Sequence, residues 1–435
     1  MRLPRSVLVA AVFVGLCIAV LGNLNGSRVR PPAPEGAHGS GSTTSSAPRA
    51  TPTTAASGRT ATTTANQAGA GHSGPALLFA APARHGRAGP NLLAGSDPSV
   101  LPADVLIADR SNSRLLIVDP TGRVVWQFPR PGDLRPGQTF KIPDDAFFSP
   151  DGREILATQE DDQVISLIDV RTHRIAWQYG TPGAPGMGPN HVWNPDDAMV
   201  LPNGEIVLAD IKNCSLLVLR PPSHLPVERI GEATNACTHE PPLRWGSPNG
   251  MFPLTDHNYL VTEINGDWVD ELTPAGKVLW STNPPGVAYP SDTNEVAANR
   301  YLTVDYSDPG QIVEFDRSGH LRYRYAPTSG PGRLNQPSLC VPVPVSHDIL
   351  CNDDFNDRVI VIDPRTNRIV WQYGHDSVSG TAPGYLDRPD GVDLVPPYSL
   401  GVIHAATTGR PAARCVASVP VGTCTFGVAA TRAAA

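Results

Sequence analysis

Oxygen-bearing side chains recur at two fixed places in the chain. One set follows a repeated proline: Asp144, Asp145, Asp196, Asp197, Asn249, Asp292 and Asp390. The other closes short β-rich runs: Asp109, Glu160, Asp210, Glu263, Asp305 and Asp353. If both sets meet in space, two chemistries open. A ring of oxygen ligands suits a hard cation such as Ca²⁺, and Asp144, Asp196, Asn249, Asp292 and Asp390 are its candidate ligands. Two carboxylates held close also raise one pKa, as acid–base work requires. The competing role is structural, since an acid at the end of a strand often accepts hydrogen bonds from its own turn.

The elements that must position these residues follow from an internal repeat. Pro143, Pro195, Pro248, Pro290, Pro337 and Pro389 recur at spacings of 52, 53, 42, 47 and 52. Each opens a short strand. A β-rich run ending in an acid follows, as in Glu205–Asp210 and Asn258–Glu263. A hairpin comes next, and its last strand reads Val-Trp126-Gln-Phe, Ala-Trp177-Gln-Tyr or Val-Trp371-Gln-Tyr. Turns such as Asp119-Pro-Thr-Gly122 and Asp316-Arg-Ser-Gly319 carry the residues that tight turns need. Each unit is therefore four antiparallel strands, A to D, and such units at this spacing are propeller blades. Five are complete, at about 142–179, 194–230, 247–281, 290–325 and 336–373. Residues 101–128 supply strands B, C and D of a sixth blade, and Arg388–Val395 supply its missing strand A. The expected fold is an all-β, six-bladed propeller over residues 97–396, closed by a C-terminal inner strand that joins the N-terminal blade and removes both sheet edges.

In that fold the D-to-A and B-to-C connections share one face, and strand A lines the central channel. Both acidic sets then surround the channel mouth. The D-to-A loops on this face are long and carry His191, His239, His375, Trp193 and Trp245. Long loops on a rigid scaffold are where binding residues concentrate, so His191, Trp193, Trp245 and His375 are candidate ligand contacts and His191 is the candidate catalytic group. Cys214, in a B–C turn, and Cys237, in the next D–A loop, lie on this same face and should pair. Cys340 and Cys351 sit on neighbouring A and B strands, where a cross-strand bridge is geometrically reasonable. Cys415 and Cys424 remain as a third pair. His347-Asp348 falls on the opposite face and reads as a turn. The chain has no Ser/His/Asp elbow, no phosphate-binding Gly loop and no Cys/His zinc spacing.

Residues 1–24 read as a targeting segment, with Arg2 and Arg5 before an apolar run from Val7 to Leu21. No small-x-small cleavage site follows, which favours an uncleaved signal anchor over a cleaved signal peptide. Leu16 before Cys17 argues against a lipoprotein. Residues 25–96, rich in Ser, Thr, Ala, Pro and Gly, read as a disordered tether, and residues 397–435 as a tail of unclear structure. The expected location is the cell membrane through a single pass, with the propeller outside; a secreted form is the alternative. Six cysteines beyond Cys17 fit an oxidising compartment. The whole chain carries a net charge of −7. Setting aside two arginines in 1–24, six arginines and Glu35 in 25–96, and three arginines in 397–435 leaves 23 basic and 40 acidic residues in the propeller. That balance excludes nucleic acid as a partner and suits a cation, a cationic ligand or a basic protein.

Two motifs carry a resemblance. Asp109-Arg-Ser-Asn112-Ser-Arg114 and Asp353-Asp-Phe-Asn356-Asp-Arg358 share the pattern D-x-x-N-x-R, and Asp210-Ile-Lys-Asn213 keeps its first half. This resembles the NHL-repeat family of six-bladed propellers. The run Pro195–Asp210 also resembles blades of bacterial arylsulfotransferase-like and quinoprotein-like propellers. The quinoprotein likeness implies eight blades, against six counted here. The arylsulfotransferase likeness implies a histidine opening an inner strand, where this chain has Asp144, Asp196, Asn249, Ser291, Ser338 and Asp390. Two function classes follow. One is a non-catalytic, monomeric binding module that takes a small molecule or a protein on its acidic, long-looped face. The other is a Ca²⁺-dependent lyase or hydrolase using the mouth acids, with sulfuryl transfer behind it. Convergence of the acids within ligand distance, with a histidine or an open coordination position nearby, favours the enzyme; acids splayed into their own turns favour the binding module.

Overall fold

A computed structural model describes residues 86–407. Six four-stranded antiparallel sheets are arranged as the blades of a β-propeller. Numbered from the N-terminal blade, blade 1 takes strands B to D from Val105–Asp109, Arg114–Val118 and Val124–Phe128, and strand A from Pro389–Leu394. Blade 2 runs through Ala146–Phe148, Glu154–Gln159, Val164–Asp169 and Arg174–Gly180. Blade 3 is Pro195–Val200, Ile206–Asp210, Ser215–Leu219 and Glu228–Ile230; blade 4 is Pro248–Pro253, Tyr259–Glu263, Trp268–Leu272 and Val278–Thr282. Blade 5 is Pro290–Ala297, Arg300–Asp305, Gln311–Asp316 and Leu321–Tyr325; blade 6 is Cys340–Pro342, Ile349–Asp353, Arg358–Asp363 and Arg368–Gly374. Ring closure by the last strand is as expected: Leu106 pairs with Asp393 and Ile107 with Val392.

The repeated tryptophan on strand D explains how blades are held side by side. Trp126 of blade 1 donates its indole N–H to the backbone carbonyl of Val170, in the C–D turn of blade 2, at 3.1 Å. Trp280 of blade 4 reaches Arg317 in the C–D turn of blade 5. Trp371 of blade 6 reaches Pro120 in the C–D turn of blade 1 at 2.9 Å, across the closure. A large apolar body with one polar handle thus fills the wedge between sheets and satisfies a turn carbonyl of the next blade. Trp177 of blade 2 is also buried, but its N–H has no protein partner.

Packed chain extends beyond both ends of 97–396. Upstream, Leu92 bridges Tyr373, and the N–H groups of Leu93 and Asp97 donate to Gln372 and Val370 on strand D of blade 6. Downstream, a helix, α1, spans Leu400–Thr407. It is anchored by the buried Asp393, whose carboxylate accepts from the N–H groups of Leu400, Leu394 and Phe148. Cys214–Cys237 and Cys340–Cys351 are disulfides; the second joins residues directly opposite on strands A and B. They indicate an oxidising environment. The targeting segment, most of the tether and Cys415–Cys424 lie outside the described residues. Among those described, no helix is long and apolar enough to cross a membrane.

Replacing Trp371 by Phe removes a buried hydrogen bond and part of a packed ring, and should cost about 2–3 kcal/mol in urea unfolding. Trp177→Phe loses no such bond and should cost about 1 kcal/mol less. Equal losses would contradict the locking role of the indole N–H.

Candidate functional site

At the opening of strand A, four blades share a local irregularity. Pro195 opposes Asp210 while Ala198 opposes Leu208, so blade 3 carries one extra residue between these pairs. The same slip occurs after Pro248, Pro290 and Pro389. Such a bulge breaks the usual alternation. In these four blades the two residues after the proline are thereby brought side by side; taken over all six blades the two positions form two tiers, with Leu339 turned into the apolar core. The first is Asp144, Asp196, Asn249, Ser291, Ser338 and Asp390. The second is Asp145, Asp197, Gly250, Asp292, Leu339 and Gly391. The glycines are small for a reason: a Cβ on Gly250 would lie 2.9 Å from Asp197 Oδ2 and 3.1 Å from Asp292 Oδ1, and one on Gly391 would lie 2.7 Å from Asp145 Oδ1.

A further ring comes from the residue after each strand B: Arg110, Glu160, Ile211, Ile264, Tyr306 and Asp354. It and the first tier line one cavity of about 230 Å³, together with Asp145, Asp292, Tyr289, Phe355, Lys212 and Arg388. The lining holds seven carboxyl groups and three cationic side chains; Arg110 pairs with Asp144, Glu160 and Asp390, which leaves Asp145, Asp196, Asp292 and Asp354 without an ion pair. Arg110 is the cation at the centre of the acids. Its guanidinium donates to Asp390 at 2.6 Å, to Glu160 at 2.9 Å and to Asp161 at 3.1 Å, and it also contacts Asp144. Arg388 instead lies over the Phe355 ring, 5.1 Å from its centroid.

Asp145, Asp196, Asp197 and Asp292 have no such neighbour; only Asp144 of their clusters meets Arg110. Asp144, Asp145 and Asp196 bring carboxylate oxygens within 4.8 Å of one another, and so do Asp145, Asp197 and Asp292. Both oxygens of Asp197 and both of Asp292, with one of Asp145, are buried with no backbone N–H or cation bonded to them; the Asp197 and Asp292 carboxyls face each other, and Asn249 stands beside Asp292. Burial, reinforced by the neighbouring Asp292 charge, holds the carboxyls of Asp145, Asp196 and Asp197 well above the usual range. Burial also pushes Asp292 up to about 7. Asp354 is raised by burial and by the adjacent Asp390.

The acids that end strand B do something else. Asp109 accepts from Asn112 and Arg114 with one oxygen and from the N–H of Asp387, in the D–A loop, with the other. Asp353 repeats this with Asn356, Arg358 and the N–H of Asn335. Asp210 binds Asn213 and the N–H of Trp193, and Asp305 binds Gln311 and the N–H of Tyr289. Their function is to fix turns and loops. Glu160 does not belong with them. Gln159 holds the loop in its place, through the N–H of Lys141, and Glu160 points to the channel with Arg110.

The expected metal set divides accordingly. Asp196 and Asp292 lie in the unpaired clusters, Asp144 shares its cluster with Arg110, Asp390 is paired to Arg110, and Asn249 donates to Ser291 at 3.1 Å. Asp145 and Asp197 join the unpaired set. Trp245 is fully buried, donates to the Ile230 carbonyl and does not line the cavity. His191 turns back on the Pro189 carbonyl at 2.9 Å, Trp193 is half-buried and His375 packs on Tyr385. None of the three lines the cavity, and no histidine does. The aromatic lining is Tyr289, Tyr306 and Phe355. The missed residue of most consequence is Arg110; its signal was its place, immediately after the acid of the D-x-x-N-x-R motif.

No protein-family model and no curated protein matches the chain. Similar solved structures include a protein of unknown function from Bacteroides caccae, at 18% identity, covering 68% of this chain and 99% of that one with a TM-score of 0.49. Selenomethionine-substituted virginiamycin B lyase from Staphylococcus aureus matches at 15% identity, over 62% and 80% of the two chains, with a TM-score of 0.43. The WD40 propeller domain of Doa1 matches at 14% identity, over 67% and 84%, with a TM-score of 0.41.

Asp292 keeps its proton to about pH 7 in the fold, against an ordinary value of 3.8. The folded state therefore binds the extra proton. Its stabilising contribution is complete below about pH 4 and is lost as pH rises to about 7. With divalent cations chelated, Asp292→Asn should flatten the decline in urea stability between these values, by at most about 1.4 kcal/mol per pH unit. Parallel curves for the variant and the wild type would contradict the assignment.

Proposed function

We propose that this chain is an extracytoplasmic binding propeller whose channel mouth holds a cation and presents, above it, a pocket for a small cationic ligand or a basic side chain of a protein partner. The reading rests on one observation: buried carboxyl oxygens of Asp145, Asp197 and Asp292 converge with no cationic side chain and no backbone N–H bonded to them. An oxygen-only set of this kind suits Ca²⁺. Arg110 models the ligand chemistry from within the chain, being a guanidinium held by four acids. Tyr289, Tyr306 and Phe355 add aromatic faces that attract organic cations. The two disulfides favour a location outside the cytoplasm, and the N-terminal apolar run gives a membrane tether to a monomeric propeller.

Convergence of Asp144, Asp145 and Asp196 supports a second reading, a Ca²⁺-dependent lyase or hydrolase on the same mouth. Asp145 and Asp196 would share one proton as its acid and base. Turnover lost in Asp196→Asn while Ca²⁺ binding persists would favour this reading over simple binding.

Calorimetric titration of chelator-stripped protein should show one Ca²⁺ per chain. At a free concentration 100 times Kd it should add about 2.7 kcal/mol to stability. Asp197→Asn/Asp292→Asn should weaken binding at least tenfold. No heat and no shift in Tm would sink the cation reading.

A further inference from the structure

Blade 4 departs from its siblings at the place where they build their loop anchors. In blades 1 and 6 the acid ending strand B is neutralised by the arginine that begins strand C, Arg114 or Arg358, and by the asparagine two residues before it. In blade 4 the acid is Glu263, the arginine position holds Trp268 and the asparagine position holds Gly266. Two residues further along strand C, where blades 1, 3 and 6 carry Leu116, Leu217 and Ile360, blade 4 carries Asp270. Both acids are fully buried. What faces them is His239, from the D–A loop that Cys214–Cys237 pins to blade 3.

We propose that His239, Glu263 and Asp270 form a binding site for one first-row divalent transition metal of the Zn²⁺ class, separate from the channel mouth. His239 Nδ1 lies 2.9 Å from Glu263 Oε1 and 3.8 Å from Asp270 Oδ2. One donor atom from each of the three residues falls within 4.8 Å of the others. Each carboxylate is held by its far oxygen. The Gly246 N–H donates to Glu263 Oε2, and the Ser281 hydroxyl donates to Asp270 Oδ1. These outer partners orient ligands as they do in metal centres generally. Asp270 Oδ2, inside the cluster, is buried and has no hydrogen-bond partner. The imidazole is stacked on Trp268, with ring centroids 4.2 Å apart and planes 9° apart. Asn265 ties the His239 loop down through the Cys237 carbonyl. His239 keeps a side-chain exposure of 20%, which leaves a path for an ion.

The donor set selects the ion. One imidazole nitrogen and two carboxylate oxygens suit Zn²⁺ and its first-row neighbours, whereas Ca²⁺ takes oxygen alone. Three protein ligands also leave a coordination position open, as in sites where the metal binds a water or an exogenous group. In a loop already fixed by a disulfide, such an ion would join the blade 3–blade 4 connection to the strands of blade 4.

The test uses the full chain without a histidine tag, stripped with chelator. Zn²⁺ is titrated calorimetrically, and Co²⁺ is followed by its visible ligand-field bands. One equivalent should bind, with Co²⁺ bands that Zn²⁺ abolishes. His239→Ala and Asp270→Asn should each lose the bands and weaken Zn²⁺ binding at least tenfold, while Asp197→Asn/Asp292→Asn, in the channel, should leave both unchanged. Ca²⁺ should not displace Co²⁺. If Asp270→Asn fails to fold, His239→Ala alone decides, since its side chain is partly exposed. Wild-type bands in His239→Ala, or no binding to the wild type, would overturn the site, and neither result bears on Ca²⁺ at the mouth.

Discussion

A carboxylate taken out of water must find donors, a proton or a cation, because burial penalises its charge more than that of any neutral polar group. This propeller places carboxylates in such positions by construction. Six strand openings meet where the ring closes, and bulges at four of them turn two consecutive side chains toward one narrow space. Gly250 and Gly391 leave room for the carboxylates beside them. The chain satisfies part of this charge itself, through Arg110. The deeper acids are left with protons or with whatever cation enters.

The blades show the same problem solved differently. On strand B the acid is paired, to asparagine, arginine and a loop N–H, so the charge becomes a structural fastening. At the opening of strand A the acids face the channel, where Arg110 pairs with Asp144 and Asp390 while Asp145, Asp196, Asp197 and Asp292 have no cation. Blade 4 lacks the fastening arginine and adds a second buried acid and a histidine, so a position that is structural elsewhere becomes a ligand set. Within one chain, comparing equivalent positions separates the acids that hold the fold from those that await a partner.

Much of this was legible in the sequence. The proline spacing and the Val-Trp-Gln-Tyr echoes set the blades, and an orphan strand at Arg388–Val395 set the closure. Two disulfide pairs followed from strand order. The partners of individual side chains were not legible. Trp245 sits in a loop by sequence, yet its indole fills the core because the loop folds back over Ile230. Glu160 and Gln159 differ by one register step, which only the hydrogen bond from Lys141 assigns. Arg110 was hidden because the motif drew attention to Asp109, Asn112 and Arg114, whose bonds are local, whereas Arg110 acts across to blade 2 and to the closing strand. His239 meets Glu263 and Asp270 through a loop path that no spacing rule describes.

The central claim is that the deep acids of the channel recruit a cation. Anomalous diffraction from crystals soaked with Tb³⁺, a Ca²⁺ substitute that scatters strongly, tests it most directly. The account predicts a peak among Asp145, Asp197 and Asp292, beneath Arg110, that Ca²⁺ competes away. A channel with no peak, and with those carboxyls hydrogen-bonded to one another as neutral acids at pH 7.5, would contradict it.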